Sequence, residues 1–272
     1  YTFDNLFSAS DAAVVATVDD DNIPYDDWGQ DLLAGRYCRL SLFTGNRPVL
    51  NPLQIPIARC SFGPVTCCWP DANHQQPAPS ASDSDGDQVA GRIWHRGFPL
   101  EWVHGSTAEY KCEVNVLVDV QADLWDGDPD IDAVLRLVCG FQGVQFDSFR
   151  PFTTDKLVPF NSQNTFISRR VLPYYMMIPG VGRVEDIWGA YIMQVILRRR
   201  GSAPAIAFNN ASVRQDRNEH DVIVDLENQL YGYRHTGDLV AGKLCDVLPP
   251  CAIRAYREYR RIMHSLQRED GS

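Results

Sequence analysis

The chain has 272 residues, a formal net charge of −10, 44% hydrophobic residues and 22% charged residues. This composition suits a globular protein that buries a sizeable core. The acidic balance argues against a nucleic-acid-binding surface, whose usual footprint is a basic patch. No apolar run reaches the length of a membrane span, and no signal peptide is visible. The eight cysteines (Cys38, Cys60, Cys67, Cys68, Cys112, Cys139, Cys245 and Cys251) include no Cys-x-x-Cys pair. That spacing excludes an ordinary zinc site and suggests reduced thiols in a cytoplasmic setting, with the Golgi lumen as the alternative if an N-terminal anchor is missing.

In chain order, Phe3 to Ser10 reads as the last turns of a helix. Ala12 to Val18 follows as an apolar run of the kind found in a central strand covered on both faces. It ends in Asp19-Asp20-Asp21. Pro48, Pro52, Pro56 and Pro64 exclude a long helix in the next segment. Residues 71–91, rich in Pro, Ser, Asp and Gly, read as a mobile surface insertion. Strands are predicted at Glu113–Val120, Val144–Phe149, Gln163–Ser168 and Ala205–Phe208, and a short helix at Asp132–Val138. The strongest helix starts near Glu185, carries its apolar face on Ile187, Tyr191, Ile192, Val195 and Ile196, and stops at Gly201. Asp221–Tyr233 and Ala252–Leu266 complete the helices. The basic face of the last one (Arg254, Arg257, Arg260, Arg261) reads as a solvated surface. Alternating strands and helices give an α/β class, here a single domain over 1–272 with a C-terminal helical region over 240–272.

Several stretches carry chemistry. Three adjacent aspartates repel one another, so Asp19-Asp20-Asp21 is either a solvated acidic loop or a site for a hard divalent cation. On an extended chain, Asp19 and Asp21 would share one side and Asp20 would face the other. The run Arg92 to Pro99 offers Arg96 among aromatics, as a phosphate-binding guanidinium or a surface arginine beside a turn. In Asp128-Pro129-Asp130, Asp130 is positioned to cap the following helix; Asp128 and its neighbours are candidates for sugar hydroxyls. Asn161, Gln163 and Asn164 are candidate polyol ligands, or a side-chain-stabilised turn. Gly180 to Asp186 is a glycine-rich loop feeding a helix that opens on two acids. Glu185 and Asp186 gain from the helix dipole in any case, and with Arg183 beside them a general base is conceivable. The glycine spacing matches neither a Walker nor a dinucleotide fingerprint.

Taken in order, Asp19-Asp20-Asp21, Arg96-Gly97-Phe98-Pro99, Asp128 to Ala133 and Gly182 to Trp188 resemble the reversibly glycosylated polypeptides, plant UDP-arabinopyranose mutases of the GT-A glycosyltransferase fold. The likeness runs as spaced islands from about residue 3 to 240. A second, weaker likeness is to STELLO-type glycosyltransferases. The resemblance implies a GT-A-like, mainly parallel sheet flanked by helices. It implies a nucleotide-diphosphate-sugar site, most simply for a UDP-sugar, with Asp19 and Asp21 on Mn²⁺ or Mg²⁺ and Asp20 beside them. It puts Arg96 at the arginine that becomes glycosylated in that family.

Three departures accompany the likeness. The family's second arginine is Val103 here, and its histidine before a Lys-Ala-Ser segment is Phe208, with His235 as a substitute ligand. Only 18 residues precede Asp19, where GT-A domains carry a nucleotide-binding region, so part of that region is expected to be missing. The leading expectation is a metal-dependent, inverting glycosyltransferase acting on a glycan or other hydroxyl acceptor. In it Arg96 and the cation stabilise the leaving diphosphate, and Asp186, or else Glu185, is the base. Arg183, Asn161, Gln163, Asn164, Asp128 and Asp130 surround the donor. The alternatives are a UDP-sugar pyranose/furanose mutase and a non-catalytic nucleotide-sugar-binding or assembly protein.

Overall fold

A computed structural model describes residues 13–56, 58–59, 93–128, 131–139 and 143–269. The expected helix at Phe3–Ser10, the insertion at 71–91, Arg92, Pro129 and Asp130 lie outside the described residues.

The architecture is α/β, with one eight-stranded mixed sheet among the described residues. Its strands are β1 (Val14–Val18), β2 (Asn22–Pro24), β3 (Tyr37–Gly45), β5 (Ala108–Leu117), β6 (Val120–Gly127), β8 (Phe152–Thr154), β9 (Asn164–Ser168) and β10 (Ile206–Gln215). The spatial order is β1-β9-β6-β10-β8-β3-β5, with β2 added beside the end of β10. A separate ribbon pairs β4 (Ala58–Arg59) with β7 (Gln145–Phe146). The expected mainly parallel sheet is corrected: only β6 with β10 and β3 with β8 run parallel, because β9 and β8 insert in the opposite sense to β6 and β10.

Val14–Val18 is also not a central strand. Among the described residues it pairs with β9 alone, and Val18 is 44% exposed. β6 is an interior strand, between β9 and β10, and its first six residues are all buried. The expected Val144–Phe149 strand shrinks to Gln145–Phe146.

The helices are α1 (Ala133–Cys139), α2 (Glu185–Arg199), α3 (Val222–Val240), α4 (Leu244–Val247) and α5 (Pro250–Glu269). Helix α2 is buried nearly all round, from Asp186 to Val195. Ala190, Met193 and Leu197 face the sheet core with Phe208, Ile167 and Val120. Ile187, Trp188, Tyr191 and Ile192 face Leu239 of α3 and Tyr256 of α5. A second layer on the other sheet face gathers Leu40, Val118 and Ala207. Ala207 belongs to it while its neighbours Ile206 and Phe208 belong to the main core, as strand alternation requires.

Two local signals set the start of α2. Gly180 and Gly182 adopt φ of 82° and 72°, and a Cβ on Gly182 would lie 2.1 Å from the carbonyl oxygen of Asn228. Only glycine lets this loop turn while lying against α3. At the other end, Gly201 (φ 73°) closes the helix after its basic last turn.

Candidate functional site

β6 and β10 are parallel, and β1 runs the same way, since it opposes β9, which opposes β6. The carboxyl ends of all three therefore share one end of the sheet, where open α/β sheets accept ligands. Asp19-Asp20-Asp21 is the turn between β1 and β2 at this end. The chain is not extended there, so strand alternation does not govern it. Even so, Asp20 is exposed while Asp19 and Asp21 are half-buried. Gln215 Nε2 donates to both oxygens of Asp21, at 3.1 and 3.2 Å.

From this turn a closed circuit of polar contacts runs through the other candidates. The Asp19 N–H donates to the Gln163 carbonyl at 3.1 Å, which also accepts from Asn22 Nδ2 at 2.7 Å. The adjoining Ser162 N–H donates to Asp186 Oδ2 at 3.2 Å, and Arg96 Nη2 donates to the same oxygen at 3.1 Å. Arg96 Nη1 donates to the carbonyl of Arg183. Arg183 Nη1 reaches Asp225 Oδ1 at 3.0 Å, and Arg217 Nη2 reaches Asp225 Oδ2 at 2.6 Å. His220 Nδ1 stands 3.5 Å from Arg183 Nη1. Beside Arg217, the Asp216 N–H donates to the Asp21 carbonyl at 3.0 Å and closes the circuit.

Buried beneath it, the Tyr175 hydroxyl has its pKa raised well above the usual phenol value, first by burial and then by the charges of Asp186 and Asp19, with Arg96 opposing. Tyr175 Oη, Asp186 Oδ1, Gln163 Nε2 and Asn22 Oδ1 are buried here without a hydrogen-bond partner among the described residues. Such atoms suit a polar ligand or bound water.

The fold thus brings together residues 19–21, 96, 161–163 and 183–186, but it changes several expected roles. Arg96 and Asp186 form a buried ion pair, with side chains only 8% and 7% exposed. Arg96 is an internal strut holding the start of α2, not a guanidinium presented to phosphate. Asp186 is the strut's other half. Glu185 is the exposed acid of the pair, and its carboxyl is held above the ordinary range by burial and by the Asp186 charge, with Arg96 opposing.

The amides are also largely committed. Asn164 donates to the Leu124 carbonyl and Ser212 and accepts from Trp28 Nε1. Asn161 donates to Gln163 Oε1 and accepts the Gln163 N–H. Of these three amides, Gln163 Nε2 is the group buried without a hydrogen-bond partner among the described residues. The capping role expected of Asp130 belongs to Asp132, whose Oδ1 accepts from Val134 and Leu135 N–H at 2.9 and 3.3 Å. Asp128 pairs with Arg136 at 2.8 Å and faces a cleft beside Gln215. Phe208 is stacked on Phe152 in the core. His235 lies against Tyr231 with the rings tilted, about 15 Å along α3 from Asp225, whereas His220 is the histidine beside Arg183.

Sequence reasoning missed Arg217, His220 and Asp225. A signal existed: the buried stripe of α3 reads Asp225, Gln229, Gly232, Thr236, Leu239 and Val240, and an acid on a buried stripe requires a cation.

Two further aspartates lie deep in the fold. Burial pushes Asp123 and Asp132 up to about 6, against hydrogen bonds that favour their ionised forms. A carboxyl whose folded value is raised contributes stability that is complete below about pH 4 and is lost as pH rises through about 6. Each therefore costs up to about 3 kcal/mol at neutral pH. Chemical denaturation is expected to show stability rising as pH falls from about 7 to 5, with a shallower rise in Asp123→Asn. Equal slopes in both proteins would contradict this.

Among the described residues no group of three or more His, Cys, Asp or Glu side chains is arranged for a metal ion. The donors at the turn are the two half-buried carboxylates of Asp19 and Asp21. That set, with both Asp21 oxygens already accepting from Gln215 Nε2, does not make a dedicated protein cage; a hard cation there would need substrate phosphates to complete its shell, the usual mode for Mg²⁺. No described helix is long and apolar enough to cross a membrane, and Cys38, Cys112, Cys245 and Cys251 are free thiols. No protein-family model matches the chain, and no curated protein matches it.

Proposed function

We propose that the chain is a GT-A-like, metal-dependent glycosyltransferase that takes its sugar from a nucleotide-diphosphate donor. The observation that carries this reading is the closed circuit at the carboxyl ends of β1, β6 and β10. It links the backbone of the 19–21 turn to the Arg183–Arg217–His220 group gathered on Asp225. Carboxylates for a cation and guanidiniums for phosphate oxygens, so close together, match a cation-bound diphosphate. Asp19 and Asp21 would hold Mn²⁺ or Mg²⁺, which when bound supplies neutralising charge to the leaving group. Arg183, whose side chain is 24% exposed, replaces Arg96 as the guanidinium facing the diphosphate, with Arg217 buried behind it on Asp225.

In the transfer, an acceptor hydroxyl oxygen forms the new bond to the anomeric carbon. The bond from that carbon to the diphosphate oxygen breaks, and the nucleoside diphosphate leaves with the electron pair. Glu185 takes the hydroxyl proton, since it combines exposure with a raised pKa at the head of α2. The mutase alternative loses support because Arg96, 7% exposed and bound to Asp186, is not presented to a sugar.

Calorimetry with UDP in the presence and absence of Mn²⁺ tests the donor site. Wild type is expected to bind UDP in a Mn²⁺-dependent way, and Asp21→Ala to lose that dependence, while Asp20→Ala, altering an exposed side chain, has a milder effect. Equal binding by wild type and Asp21→Ala would remove the metal role.

A further inference from the structure

A cleft of about 380 Å³ opens where β6 and β10 end, lined by Tyr25, Asp126, Asp128, Arg214, Gln215 and Asp216. Its volume falls in the range of small-ligand sites. It shares a wall with the 19–21 turn, because Gln215 Nε2 holds the Asp21 carboxylate and the Asp216 N–H holds the Asp21 carbonyl. The strand ends can approach this closely because residue 127 is glycine: its φ is 93°, and a Cβ there would lie 2.4 Å from the Gln215 carbonyl oxygen.

The polar side chains of the lining are pre-oriented. Asp126 Oδ2 accepts from the Tyr25 hydroxyl and Oδ1 from the Phe146 N–H, both at 3.0 Å. Asp128 is held by Arg136 at 2.8 Å, and Asp216 by Arg214 at 3.1 Å. An ionised carboxylate has about four acceptor positions, so each keeps capacity for hydroxyl donors. Hydrogen bonds from hydroxyls to ionised carboxylates are short and strong. Tyr25 stays a phenol at neutral pH, its pKa pushed up to about 12 by burial and the Asp126 bond, and its half-open ring offers an apolar wall. Three carboxylates against two guanidiniums disfavour a phosphate or a uronate.

We propose that this cleft binds a neutral saccharide, the acceptor whose hydroxyl receives the transferred sugar. The acceptor role rests on the transferase reading; the binding of a saccharide does not.

The test is an amide-shift titration of the ¹⁵N-labelled full chain with cellobiose, xylobiose and galactobiose, and with digalacturonate as the anionic counterpart. At least one neutral disaccharide is expected to move the resonances of Tyr25, Gly127, Arg214 and Gln215, while digalacturonate leaves them in place. Tyr25→Phe, which removes the hydroxyl that orients the Asp126 carboxylate, is expected to weaken that binding about tenfold without altering UDP·Mn²⁺ affinity. Absence of shifts with every neutral disaccharide, equal binding of digalacturonate, or full affinity in Tyr25→Phe would each overturn the site. Saccharide binding without any UDP·Mn²⁺ binding would leave a saccharide site and overturn its role as an acceptor site.

Discussion

Arg96→Ala is expected to destabilise the protein by about 3–5 kcal/mol, the usual cost of removing one partner from a buried ion pair. The reason lies in what stays behind. Asp186 is 5% exposed, and its Oδ2 would keep only the Ser162 N–H. Glu185 beside it adds like charge, and Tyr175 beneath it is fully buried. The loss spreads further, because Arg96 also ties down the carbonyl of Arg183, two residues before α2. Arg96→Met combined with Asp186→Leu removes both charges together and is expected to recover most of the loss, since apolar replacements of a buried pair are often close to neutral. The double variant separates the two roles of Arg96. If Arg96 is a strut, the folded double variant binds UDP·Mn²⁺ nearly as wild type does. If Arg96 is a phosphate ligand, the double variant folds and fails to bind. Chemical denaturation and calorimetry on the same three proteins read out both quantities.

The legible parts of this fold are those set by local chemistry. Asp221 caps α3 through Ile223 and Val224 N–H, and Gly201 stops α2 where the sequence places the stop. The strand at Asn164–Ser168 and the split of the C-terminal helices follow from runs only a few residues long. Harder to read is what depends on distant partners. Val120–Gly127 carries Gln121 and Asp123 at buried positions, so its polar residues disguise a buried interior strand of the sheet. Each is paid for far away: Gln121 Oε1 by the N–H of Leu33, and Asp123 by Ser212. Val14–Val18 misleads in the opposite sense, an apolar run at an open position of the sheet. For the site, the sequence singles out Asp19–Asp21, Arg96 and Glu185–Asp186, and these do converge. It cannot distribute their roles, because Arg96 and Asp186 neutralise each other across 90 residues. Nothing local to the run from Arg214 to His220 marks it as a site; it becomes one because α3 brings Asp225 against Arg183, 42 residues earlier in the chain.

Glu185→Gln is expected to cut sugar transfer by about 10²–10⁴-fold, the usual share of general-base catalysis, while leaving UDP·Mn²⁺ affinity nearly unchanged. Glu185 and Asp186 are neighbours at the head of one helix, and the fold gives them opposite tasks. Asp186 points into the protein, where its Oδ2 is committed to Arg96 and Ser162. Glu185 is exposed at the same end of the sheet, with a carboxyl raised by burial and by the Asp186 charge. Raising a base toward the working pH strengthens it as a proton acceptor while keeping it mostly ionised. Glutamine preserves the shape and hydrogen bonding of the side chain but cannot accept the proton. The effect should therefore fall on kcat, and the acidic limb of the pH–rate profile should flatten in the variant. Asp186→Asn should behave differently, lowering the melting temperature and reducing activity only as the folded fraction falls. If instead Glu185 merely complements the helix dipole, glutamine would cost less than about 1 kcal/mol of stability and no specific activity. Transfer by Glu185→Gln within about threefold of wild type, far short of a general-base effect, would assign the proton to another group.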